Sequence, residues 1–116
     1  MNTEILAQHW NAYMAAFNTV DQEERERLLA LSVADEVVFT NPGGEGLSRA
    51  ALSAHIAKFQ TGNPGVYFST EKIYPQADKL LAIWSMHKPD GVKVATGYNF
   101  VRPDQQGRFA YMAGFF

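Results

Sequence analysis

The chain has 116 residues, 47% apolar and 13% aromatic; this suits one domain with its own core, residues 1–116, and excludes a disordered or low-complexity chain. The 10 basic and 12 acidic residues leave a net charge of −2, which gives no electrostatic reason to expect nucleic acid or an acidic membrane surface as partner. The absence of cysteine excludes disulfides, thiolate catalysis and cysteine-ligated zinc, and no apolar run approaches the roughly 20 residues that cross a bilayer.

Met1-Asn2-Thr3-Glu4 has neither the basic nor the apolar part of a secretory signal, so a cytoplasmic location is expected. Leu6, Trp10, Tyr13 and Phe17 recur at helical spacing and predict a first helix with that stripe buried, ended by Asn18-Thr19. Asp21 reads as the N-cap of a second helix, with Glu24 as its capping-box partner and Leu28 and Leu31 as its buried side. The run Asp21–Arg27 reads as a solvated face. Val37, Phe39 and Asn41 alternate with Val38 and Thr40 as in a short strand, stopped by Pro42-Gly43-Gly44, and Pro42–Gly46 reads as a loop. Ser48 is expected to cap a third helix running to about Gln60. Leu52, Ile56 and Phe59 form its apolar side, with His55 beside them. Gly62-Asn63-Pro64-Gly65 ends it.

From Val66 onward the pattern is that of strands: Val66–Ile73, Leu80–His87, Val92–Val101 and Arg108–Phe116, with turns at Pro89-Asp90-Gly91 and Asp104-Gln105-Gln106-Gly107. Helices first and antiparallel strands after them is an α+β order, without the βαβ alternation of a Rossmann fold. Taking Asp90-Gly91 as a two-residue loop pairs Asn99 with Ala82 and sets Trp84 over Gly97. Bracketing the next turn by Pro103 and Arg108 pairs Asn99 with Met112. One sheet face then carries Ala82, Trp84, Met86, Gly97, Asn99, Met112 and Gly114. The other carries Leu81, Ile83, His87, Thr96, Tyr98, Phe100, Tyr111 and Phe115. Both are apolar, so one is expected to cover the helices and the other to form a dimer interface.

The stretches Tyr13-Met14-Ala15-Ala16-Phe17-Asn18, Val38-Phe39-Thr40-Asn41-Pro42-Gly43, Gly97-Tyr98-Asn99-Phe100 and Gly107-Arg108-Phe109-Ala110-Tyr111-Met112 occur in an order that resembles the nuclear transport factor 2-like superfamily, in particular its SnoaL-like and ketosteroid-isomerase-like members. The resemblance covers essentially the whole chain. It implies a cystatin-like α+β cone, three N-terminal helices on a strongly curved, mostly antiparallel sheet, with a pocket inside and a homodimer through the outer sheet face. It also implies roles. Tyr13 matches the isomerases' hydrogen-bond donor, Asn41 the aspartate that shuttles a proton, and Asn99 a second aspartate kept neutral by apolar surroundings. The family's polyketide cyclases likewise depend on an acidic residue.

Here two amides stand where carboxylates would. An amide cannot take a proton from carbon, so Asn41 removes the base, whereas Asn99 can still donate to a developing oxyanion. His55 is the one replacement base the residues offer. Each has a plainer reading too: Tyr13 as a core aromatic, Asn41 as an Asx-turn, His55 as a structural histidine, and His9 and His87 as surface or interface residues. Asn99 is unusual within a strand, and pocket lining is expected of it. Trp10, Phe17, Phe39, Phe59, Trp84, Met86 and Met112 are the expected apolar walls. No metal-ligand spacing is present, and neither metal nor cofactor is expected. Three functions follow: a pocket for a small, largely apolar carbonyl or hydroxyl compound, cyclic ones included; an isomerase, cyclase or dehydratase using His55 or substrate-assisted proton transfer; or a dimeric scaffold without a ligand.

Overall fold

The computed structural model describes residues 3–116; Met1 and Asn2, part of the N-terminal segment considered above, lie outside the described residues. The elements in chain order are α1 (Thr3–Phe17), α2 (Gln22–Ser32), β1 (Val33–Asn41), β2 (Gly44–Leu47), α3 (Arg49–Gly62), β3 (Tyr67–Gln76), β4 (Lys79–His87), β5 (Lys93–Pro103) and β6 (Phe109–Phe115). The three helices pack on one six-stranded sheet of order β2-β1-β6-β5-β4-β3. Every neighbouring pair is antiparallel except β1 with β6.

The stripe Leu6, Trp10, Tyr13 buries α1 against the sheet. Three polar contacts then fix its angle. The Trp10 indole N–H donates to Thr70 Oγ1 at 2.8 Å, His9 Nδ1 meets the Gly107 carbonyl at 2.6 Å, and the Asn18 side chain bonds both backbone groups of Phe68 at 2.8 Å. His9 is therefore a tie between α1 and the β5–β6 turn rather than a surface residue.

The reading of α2 is corrected. Its buried residues are Arg25, Leu29 and Ser32, at helical spacing; of the two expected leucines, Leu28 packs partly buried against the core while Leu31 is exposed. Arg25 lies inside the supposed solvated face because its guanidinium is satisfied there by the Val20 carbonyl at 3.2 Å and Gln60 Oε1 at 3.1 Å. Asp21 does cap the helix through the Glu24 N–H, but the Glu24 carboxylate pairs with Arg27 on the next turn instead of closing a capping box. Strand β1 begins four residues before Val37, since Val33 already pairs with Phe109; the ladder slips across the exposed Asp35-Glu36. The segment read as a Pro-Gly loop contains β2, a short edge strand pairing Leu47 with Val38 and Gly46 with Phe39. The Phe39 ring lies on Gly46, where a Cβ would come within 2.6 Å of it.

Both later hairpins use the same turn. Gly91 N–H bonds the Lys88 carbonyl and Gly107 N–H bonds the Asp104 carbonyl, each glycine in the left-handed region at φ +91° and +81°. Each is a three-residue loop followed by a bulge. In the first, Pro89-Asp90-Gly91 replaces the expected two-residue loop, yet the bulge at His87 restores the register, so Asn99 opposes Ala82 and Gly97 opposes Trp84. In the second, loop and bulge together move the register by two: Asn99 opposes Gly114, and Met112 opposes Val101. A shift of two residues preserves the face of the sheet, so Asn99 and Met112 both still point toward the helices. The opposite face leaves Leu81, Tyr98, Tyr111 and Phe115 exposed.

Candidate functional site

Helices α1 and α3 and the inner face of the sheet surround a cavity of about 180 Å³. Helix α1 contributes Trp10, Tyr13 and Phe17 because these recur on its sheet-facing stripe, and α3 contributes His55 and Phe59. Phe39 and Asn41 project from β1, Trp84 and Met86 from β4, Asn99 from β5 and Met112 from β6, by strand alternation. All the residues singled out from the sequence thus line one space. Met14, Leu52, Phe68, Ala95 and Phe116 line it too and were not anticipated. For Ala95 the signal was present, since the same hairpin register sets it opposite Met86.

Trp84 is held by its neighbours across β5. A Cβ on Gly97 would lie 2.1 Å from its ring, so the indole rests on bare backbone. In that position its N–H donates to Asn99 Oδ1 at 2.9 Å. With the oxygen engaged, the amide NH₂ is the group Asn99 presents toward the neighbouring Tyr13 hydroxyl. Burial pushes the Tyr13 phenol well above its ordinary value of 10, and the Asn99 contact offsets only part of that rise. Tyr13 is therefore a protonated donor throughout the physiological range.

Asn41 and His55 form the second polar pair. Asn41 Oδ1 accepts from Gly43 N–H at 2.8 Å, closing the Asx-turn that leads into Pro42-Gly43. The turn directs the amide nitrogen to His55 Nε2, 3.2 Å away. An amide nitrogen only donates, so His55 Nε2 must be the unprotonated ring nitrogen and Nδ1 the one that carries hydrogen. Partial burial, followed by the nearby Lys58, lowers the His55 pKa from 6.5, which keeps the ring neutral.

Among the described residues, the polar residues of the lining are Tyr13, Thr40, Asn41, His55 and Asn99, with no Asp, Glu, Lys or Arg. Among the described residues, no group of three His, Asp or Glu is placed to hold a metal ion. The rest of the wall is aromatic and aliphatic, with Phe68 in contact with Phe17, Phe59 and Trp84 at centroid distances of 5.3–5.5 Å.

Residues 10–112 match the SnoaL-like domain family. No curated protein matches the chain in sequence. Among solved structures, a candidate isomerase of the SnoaL-like family from Agrobacterium tumefaciens superposes with a TM-score of 0.90 at 25% identity, covering 97% of each chain. A protein of unknown function with a cystatin-like fold from Methylobium petroleophilum gives 0.82 at 17% identity, over 99% of this chain and 77% of its own. A candidate polyketide cyclase from Sinorhizobium meliloti gives 0.73 at 16% identity, over 91% of this chain and 92% of its own.

Proposed function

The chain belongs to the SnoaL-like domain family, and from that membership we propose that its cavity binds a small, neutral, largely apolar compound bearing a carbonyl or hydroxyl oxygen. Tyr13 grips the oxygen, and Trp84 and Met112 pack the apolar body. One observation carries this reading: an apolar cavity of about 180 Å³ whose polar residues, among those described, are all uncharged, with Tyr13 beside Asn99 and Asn41 bonded to His55. A charged ligand would lose its hydration there without a counter-ion. The partly exposed Leu81, Tyr98, Tyr111 and Phe115 on the outer face support a homodimer that covers them. The test is a screen of neutral ketones, phenols and alcohols by thermal shift, repeated on Ala95→Phe, which fills the cavity. Binding that Ala95→Phe abolishes supports the reading; binding that survives it unchanged contradicts it.

A second reading, a proton-transfer enzyme with His55 as base, is favoured by the closeness of His55 Nε2 to Asn41, the residue at the family's base position. Asn41 occupies that lone pair, so it must swing aside before His55 can take a proton from carbon. Exchange of α-protons of a conjugated ketone in deuterated water, faster than buffer and lost in His55→Ala, supports it. Exchange at the buffer rate contradicts it.

A further inference from the structure

Resting on the reading that the cavity is a ligand site, we propose that its ligand is a monocyclic aromatic carbonyl compound, bound as a hydrogen-bond acceptor. Size sets the ring count. A dry apolar cavity of about 150 Å³ admits benzene, and this one measures about 180 Å³, enough for one ring with a short substituent. A fused multi-ring body would protrude through its open mouth.

The walls set the ring type. Phe68 meets Phe17 edge-on at 5.4 Å and 76° and Trp84 at 5.3 Å and 83°; Trp84 meets Phe116 at 5.5 Å and 62°. Phe59 closes on Phe68 at 5.5 Å. All five rings line the cavity. Aromatic pairs gain from edge-to-face and offset contact through their quadrupoles, a gain that a saturated ring of equal area lacks.

Hydrogen-bond accounting sets the polarity. Asn99 uses its oxygen on Trp84 and turns its NH₂ toward Tyr13. Asn41 uses its oxygen on Gly43 and its NH₂ on His55 Nε2. The Tyr13 O–H and the His55 Nδ1–H have no acceptor among the described residues. Both are donors. The matching ligand group is an acceptor, such as a carbonyl, since each amide oxygen already holds one N–H while these two donors hold none.

The experiment is a nuclear magnetic resonance titration of the full chain, following the indole N–H signals of Trp10 and Trp84. The probes are acetophenone, cyclohexyl methyl ketone and ethylbenzene. Acetophenone is expected to bind about 3- to 10-fold more tightly than either of the others. Equal or tighter binding of cyclohexyl methyl ketone overturns the aromatic assignment, and equal binding of ethylbenzene overturns the acceptor assignment; both leave the ligand site standing. No indole shift with any probe overturns the ligand site and this proposal together. Phe68→Leu, which keeps an apolar wall, is expected to bring the preference for acetophenone over cyclohexyl methyl ketone below about 2-fold. An unchanged preference in a folded variant counts against the proposal, and the wild-type comparison decides alone if the variant does not fold.

Discussion

The amide nitrogen of Asn41 stands 3.2 Å from Nε2 of His55, while the amide oxygen of the same residue is held by Gly43 N–H at 2.8 Å. The Asx-turn thus determines the state of an imidazole 14 residues away in sequence: neutral, with hydrogen on Nδ1. Where a carboxylate would have drawn a proton onto the ring, the amide gives one toward it.

His55 is accordingly expected to titrate below 6.5, through burial first and Lys58 second. An unfolded histidine ionises near 6.5. Between that value and the lower native one the unfolded chain binds more protons, so the His55 contribution to stability is complete above about 6.5 and is lost as pH falls through the native pKa. Nuclear magnetic resonance of the His55 ring protons measures the pKa. Asn41→Asp is expected to raise it, since a carboxylate favours the imidazolium; an Asn41→Asp value equal to or below the wild-type one contradicts the geometry.

Asn99→Ala is expected to destabilise the fold by about 1–3 kcal/mol, because it leaves the Trp84 indole N–H without its acceptor inside the core. Urea denaturation measures it. Loss of less than about 0.5 kcal/mol would mean that the indole finds another partner at no cost.

Much of this arrangement was legible in the sequence, for physical reasons that differ by element. The α1 stripe was clear because Leu6, Trp10 and Tyr13 repeat at helical spacing with no charged residue among them. The inward face of β4 and β5 was read correctly although the loop was not, because the bulge at His87 cancels the extra loop residue. Arg25 was misplaced because charge alone said surface, and its amide partner Gln60 lies 35 residues away on α3. Strand β2 was hidden by Gly44 and Gly46, which read as loop until the Phe39 ring is seen lying on Gly46. The β6 register was missed because two one-residue irregularities add up. In the site, Tyr13, Asn41 and Asn99 stood out as polar residues in apolar stretches. Phe68 and Phe116 gave no such signal, being aromatics in strands rich in them. The contact of Asn41 with His55 depends on the β1–β2 hairpin returning the chain to α3, which no spacing rule supplies.

Gly97→Ala is expected to cost about 1–3 kcal/mol, since its Cβ would fall 2.1 Å from the Trp84 ring. The same substitution should shift the Trp84 indole N–H resonance by moving the ring away from Asn99. A variant of wild-type stability with an unmoved resonance would show that the ring is not seated on Gly97.

The most direct measurement of the central claim is the affinity of the wild-type chain and of Tyr13→Phe for a neutral aryl ketone, by titration calorimetry at neutral pH. Removing the Tyr13 hydroxyl without changing the ring is expected to weaken binding about 3- to 10-fold while leaving the fold intact. Equal affinity in the two proteins would contradict the account, for it would mean that Tyr13 packs the core and does not grip a ligand.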